Sequence, residues 1–235
     1  MQDEIIKHTK KIYSEMNNKK HSFKEKAKEV LSEILIIVFA VTLSIWLHSW
    51  SEERHQQKDA QTFLIGLKED LQNDISNLEN TKNLLNKTQQ QISFVLHLTP
   101  KKMDSIKANH QQINSGTNFI NTLVNNGRYE GFKSSGKINT IENQIIRNKI
   151  LSYYQQTIPQ IALVEESYEK LTARYVDLLM YGKEDEDINT TLLKQKTKII
   201  LSGIDNFTQN TQKSYENAIK QARDIIKEID KKEKE

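Results

Sequence analysis

Residues 63–95 read FLIGLKEDLQNDISNLENTKNLLNKTQQQISFV, and two seams of heptad spacing run through them. Leu64, Leu71, Leu78, Leu85 and Ile92 form one seam, apolar throughout. The companion seam is apolar only at its ends: Leu67 and Val95 fit, while Asp74, Thr81 and Thr88 stand between them. Two apolar seams would specify a coiled coil between separate chains. A single stripe faces the core of its own fold. The stretch therefore predicts a stalk helix that packs in an intrachain bundle, with a coiled-coil zipper between chains as the alternative.

The rest of the chain agrees with an all-α class. Only two prolines and seven glycines interrupt 235 residues, and no period-2 strand pattern occurs. Hydrophobic residues make up 36%, against about 45–50% in ordinary globular domains counted with Gly, so the core must be thin, as in a narrow bundle. Cysteine is absent, which excludes a disulfide framework and any thiolate metal site. The net charge of +3 comes from interspersed charges, and the mixed run at Lys231–Glu235 reads as a solvated tail. Nucleic-acid binding would need clustered Lys/Arg in an aromatic or helix-turn-helix setting, and the sequence holds neither.

Upstream lies LSEILIIVFAVTLSIWLHSW, residues 31–50. No charge occurs from Ile34 to Leu47, and Val30 to Trp50 gives about twenty residues, enough for a helix to cross about 30 Å of hydrocarbon. Trp46 and Trp50, four apart, share the helix face expected of an interfacial aromatic anchor. Lys19, Lys20, Lys24, Lys26 and Lys28 precede the run; Arg54, Lys58 and Lys68 follow it more sparsely. That asymmetry predicts an uncleaved signal anchor with a cytoplasmic N-terminus, in a bacterial inner membrane with the C-terminal region periplasmic. Glu33 is expected at headgroup depth, marking the boundary with Trp46 and Trp50. Ala40 and Ser44 form a small-x-x-x-small pair, a candidate helix–helix contact.

Downstream, Thr99-Pro100 should end the stalk helix and open a new segment carrying Met103, Ile106, Ile113, Phe119, Ile120 and Leu123. Asn125-Asn126-Gly127 signals a turn, and Ser134-Ser135-Gly136 a break. Asn139 and Glu142 have capping-box spacing ahead of Ile141, Ile145, Ile146 and Ile150. Pro159 should kink or break that helix near Gln155. GKEDED at 182–187 is a polar loop, and a last helix pairs Tyr215, Ile219, Ala222, Ile226 and Ile229. The expected organisation is a cytoplasmic basic segment 1–28, a span 29–50, a stalk helix 51–98 and a helical region 99–235 packed on the stalk.

Three blocks carry a family resemblance: Trp50-x-Glu52-x-Arg54 closing the span, Tyr129-x-x-Phe132-Lys133-Ser134-Ser135-Gly136, and Ile146-Arg147-Asn148-Lys149-Ile150-x-x-Tyr153-Tyr154. With Glu33 and Ile34 opening the span, they resemble a group of single-span membrane proteins of Bacteroidota, a domain of unknown function. Ser32 and Phe39 or Ala40 stand where that group usually has glycine. The resemblance runs from about residue 28 to about 180. It implies the single-span topology and no particular chemistry.

The residues themselves offer little chemistry. His48, Glu52 and His55 share one helical face, but a bundle di-iron site needs a second Glu-x-x-His and two more glutamates. They read as an exposed polar collar. No nucleophile elbow, P-loop or zinc-protease motif occurs. Tyr153, Tyr154, Tyr168, Tyr175 and Tyr181 are expected as core residues. The turn Ser134, Ser135, Gly136 is the candidate interaction loop. The expected function is a non-enzymatic scaffold or partner-binding subunit of an envelope complex, with no cofactor, no metal and no catalytic residue. Its expected partners are the lipid bilayer and an envelope protein, with a homo-oligomer as the alternative. Two other classes are an energy-coupling accessory subunit using Glu33 and a periplasmic helical-bundle sensor.

Overall fold

The computed structural model of the chain describes residue 10 and residues 23–114, 116–122, 124–181 and 187–232. Lys19 and Lys20, Leu123, the loop 182–186 and the end of the charged tail lie outside the described residues. Every regular element within them is helical. α1 spans Phe23–Leu96, α2 Pro100–Ala108, α3 Gly127–Ser134 and α4 Gln144–Ser152. A π turn, Tyr153–Thr157, joins α4 to α5, Ile158–Met180; α6 is Ile188–Leu193 and α7 Gln195–Lys232. The chain divides into two compact units, Met1–His55 and Gln56–Glu235.

In the first unit every position from Val30 to Trp50 is exposed. The second unit is a bundle whose long members are the later turns of α1, α5 and α7, with the heptad stripe at its centre. Leu64, Leu71, Leu78, Leu85 and Ile92 are all buried. They pack into one core with Tyr168 and Tyr175 from α5 and Leu201, Ile204 and Ile225 from α7. The stripe is thus satisfied inside its own chain, as a single apolar seam requires. α7 lies antiparallel to α1: Asn86 meets Gln212, Lys82 meets Glu216, Glu79 meets Arg223 and Lys68 meets Asp230. These surface pairs are worth at most about 1 kcal/mol each and set register more than stability.

Several local expectations change on folding. Thr99 caps α2 as its hydroxyl accepts from the Lys102 N–H, with Pro100 following. That helix stops at Ala108, however, and the described residues from 109 to 126 form a non-helical strap. The Asn139/Glu142 capping box does not form. Gly136 takes φ +74, a 3₁₀ turn covers Lys137–Thr140, and Ile141 is extended and buried, so no helix can begin before Asn143. The Asn143 side chain then accepts from Ile145 and Ile146, capping α4. The expected interruption near Gln155 is present as the π turn Tyr153–Thr157, and Pro159 sits in the first turn of α5, where its missing N–H costs little. Tyr181 is 80% exposed, outside the core assigned to it, and on α7 Ile225 is fully buried where Ile226 was expected.

Leu78 lies mid-stripe with no exposed surface, so Leu78→Ala should cost about 2–5 kcal/mol in a denaturant titration. Ile65→Ala, on the exposed face of the same helix, should change stability by less than about 0.5 kcal/mol.

Candidate functional site

The apolar run of α1 is the first functional feature. Its best window has a mean hydropathy of 2.4, and among the described helices only this one is long and apolar enough to cross a membrane. Trp46 and Trp50 are 62% and 46% exposed, and the Arg54 guanidinium sits 4.2 Å over the Trp50 ring. Thr42 Oγ1 donates to the carbonyls of Val38 and Phe39, so the hydroxyl is satisfied within the helix. Glu33, Ala40 and Ser44 are all exposed, as are His48, Glu52 and His55.

The second feature is the polar seam. Asp74 and Thr88 are fully buried, although the heptad spacing would assign apolar residues there. The strap explains them. A buried backbone outside helix or sheet must find side-chain partners. Thr88 Oγ1 accepts from Asn118 Nδ2 at 2.9 Å, and Asp74 Oδ1 accepts from the Asn125 N–H at 2.9 Å. Residues 74 to 88 climb roughly 21 Å of helix at 1.5 Å per residue. The strap meets these positions in reverse order, Asn118 at Thr88 and Asn125 at Asp74. Two heptads of helix therefore match seven residues of strap running the other way.

The opposite side of the strap is met by α5 and α7. The Tyr168 hydroxyl donates to the Asn118 carbonyl at 2.7 Å. Thr122 donates to the Tyr215 hydroxyl, which donates in turn to the buried Glu165 carboxylate. One relay thereby links strap, α7 and α5. Ile120 supplies the strap's fully buried apolar anchor.

At the strap's end four elements meet. Asp70 accepts from Asn125 Nδ2 at 3.2 Å and from Arg128 Nε at 2.7 Å, so one carboxylate holds both the strap and α3. Gly66 leaves the room this needs: a Cβ there would lie 2.2 Å from the Arg128 guanidinium. Phe63 stacks on Phe132, and Tyr129 stacks on Tyr154 of the π turn at 4.3 Å. Gln155 Nε2 donates to the Tyr129 hydroxyl at 2.9 Å. Burial, reinforced by the Asp70 charge, lifts the Asp74 carboxyl from 3.8 to about 6 despite the Asn125 hydrogen bond. The Tyr153 and Tyr154 hydroxyls are driven up by burial first and by Asp74 second. Neither phenol oxygen nor Asp74 Oδ2 is in hydrogen-bond geometry with a partner.

The turn at 134–136 is exposed and well formed. The Ser135 and Gly136 N–H groups donate to the Gly131 and Lys133 carbonyls, and Gly136 takes the left-handed conformation that closes a helix without strain. Lys137 pairs with Asp59 at 2.8 Å, and Gln57 donates to Glu142 at 2.6 Å, so this corner is fastened to the first turns of the bundle's central helix. A shallow cleft lined by Thr62, Phe63, Gly131, Phe132 and Ser135 adjoins it. Among the described residues no group of three His, Asp or Glu is placed to hold a metal ion.

A model of a family of unknown function, DUF6090, matches residues 33–218. The chain belongs to this family. No curated protein and no solved structure matches it. The stretch shared with DUF6090 begins at Glu33 and takes in the apolar run, the polar seam, the strap and the four-element junction. It therefore contains each element described above except the first turns of α1 and the last turns of α7.

Removing the Thr88 hydroxyl would strand the Asn118 amide in the core. Thr88→Val should cost about 1–3 kcal/mol, and the double variant with Asn118→Leu should recover part of it. The pH dependence has a definite sign. Because folding raises the Asp74 pKa from 3.8 to about 6, its contribution to stability is full below 3.8 and is lost as pH rises through about 6. Asp74→Asn should match the wild type near pH 4 and exceed it by up to about 3 kcal/mol at pH 8, in paired chemical denaturations.

Proposed function

We propose that this DUF6090 member is a membrane-anchored, non-enzymatic helical protein that holds a partner within a bacterial envelope complex. One observation carries the reading: a single helix, Phe23–Leu96, bears both a fully exposed apolar run and, further along, the stripe that organises a folded bundle. An exposed stretch of about twenty residues, most of them apolar, is costly in water and matches the surface a lipid bilayer demands. The lysines before the run and the Trp46–Trp50–Arg54 face after it support a cytoplasmic N-terminus and a periplasmic bundle. Glu33 then lies at the cytoplasmic edge, where a carboxylate reaches water by snorkelling.

Within the bundle, the buried polar groups bond one another across elements, an arrangement that specifies structure. The accessible features are the turn Ser134–Gly136 with its cleft and, within the bilayer, the Ala40–Ser44 face. These are the contact surfaces for an envelope partner.

Membranes carrying the full-length protein should retain it through an alkaline carbonate wash, and deletion of residues 30–50 should release a soluble bundle. Release of the full-length chain by the wash would overturn the anchor. Purification in mild detergent should then yield a stoichiometric envelope protein whose recovery drops at least tenfold with a Ser134→Arg, Ser135→Arg double substitution or with Ala40→Leu. Recovery of the chain alone, or of a partner indifferent to both surfaces, would overturn the partner-holding role.

A further inference from the structure

The junction at Asp74 has a property that the anchoring role does not use. Three polar atoms from two elements converge there without partners: Asp74 Oδ2 on α1, and the Tyr153 and Tyr154 hydroxyls on the π turn. Asp74, Tyr153 and Tyr154 are each more than nine-tenths buried. Buried polar atoms in such a group are normally satisfied, and π turns recur where a helix serves a function.

We propose that the Asp74 carboxyl is a proton-binding site of the folded bundle, and that its proton latches the end of the strap and α3 onto α1. With the proton bound, Oδ2 carries a hydrogen that the Tyr154 phenol oxygen can accept, Oδ1 still receives the Asn125 N–H, and no charge opposes Asp70. With the proton lost to solvent, a bare carboxylate stands beside Asp70 in a site closed to water, and hydration is gained only by uncovering it. Desolvation is the main force acting on this group, and it favours the neutral acid.

The cover that yields is set by how each neighbour is held. On α1 the facing charge is Asp70; from the strap comes Asn125, which is neutral. α3 presents Arg128, already engaged by Asp70, and Tyr129, with Lys133 5.5 Å from its ring. The π turn presents Tyr153 and Tyr154, and α4 contributes Lys149, paired with Glu228 of α7. On α7 the pairs Glu79–Arg223 and Lys68–Asp230 bracket this level, and between them the inward positions Ala222 and Ile225 bring no charge. Among the described residues no cation is therefore placed to neutralise Asp74 directly. α7 is a 38-residue helix packed along its length, whereas α3 has eight residues and the described strap residues from 112 to 126 lie in no helix. Ionisation thus loosens residues 118–136, which include the exposed turn at Ser134–Gly136, and leaves the α5–α7 pair closed.

Hydrogen exchange of the full chain in detergent micelles, followed by mass spectrometry at several pH values and corrected for intrinsic exchange, tests this. Peptides covering 118–134 should lose about tenfold in protection between pH 5 and pH 8, with a midpoint near pH 6, while peptides from 200–215 change little. Asp74→Asn, neutral at every pH, should hold the higher protection throughout. An unchanged wild-type profile, or the same drop in D74N, overturns the proposal. Should D74N fail to fold, Tyr153→Phe keeps the test: removing a phenol that favours the ionised form should move the midpoint to higher pH, and an unmoved midpoint also overturns it.

Discussion

The bundle depends on one constraint: a buried backbone that is neither helix nor sheet must be given hydrogen-bond partners by its neighbours. The strap 109–126 occupies a place that a further helix would fill in a regular bundle. A helix would have satisfied its own amides and needed only apolar contacts. The strap cannot, so α1 substitutes Asp74 and Thr88 for core residues, α5 supplies Tyr168, and α7 supplies Tyr215 with Glu165 behind it. The thin apolar composition follows from the same cause, since part of the interior is an ordered set of hydrogen bonds.

α1 carries two surface patterns along one secondary structure. Between Val30 and Trp50 it is apolar on every face and its one described hydroxyl bond, at Thr42, closes on its own backbone. Between Leu64 and Val95 it is apolar along a stripe and polar elsewhere, and its buried Thr88 hydroxyl donates to its own backbone at Leu84 while also accepting from Asn118 of the strap. Where a partner segment exists, a long-range bond is added to the local one and specifies register. The tryptophans and Arg54 stand at the change between the regimes.

Much of this could be read from periodicity. The unbroken seam from Leu64 to Ile92 announced a helix of the bundle, Thr99-Pro100 its end, and Ser134-Ser135-Gly136 a helix stop, because each signal is local. The strap was not legible: Ile113, Phe119 and Ile120 can be placed on a helix or along an extended segment, and only tertiary contacts choose. Asp74 and Thr88 did carry the missing signal. Polar residues at heptad positions, fourteen apart, mark where something other than a helix docks. The capping box failed since Asn139 and Glu142 have the right spacing, but Gly136 and the buried Ile141 fix the backbone first. The junction of Asp74 with Tyr153 and Tyr154 joins residues nearly eighty apart in sequence, and no local pattern could bring them together.

The π turn has a further consequence for how this chain can vary. Adjacent residues on an α-helix point about 100° apart, so two neighbouring residues as large as tyrosine sit at opposite margins of a core-facing stripe in regular geometry. The wider turn lets Tyr153 and Tyr154 both face the core while Ile146 and Ile150 before it and Ile161, Tyr168 and Tyr175 after it stay inward. It acts as a phase shifter between two helical registers. Gln156, which faces solvent, is open to many replacements, yet its deletion would rotate one side against the other by about 100° and expel one of the two buried sets. At this point in the chain length is constrained more tightly than identity.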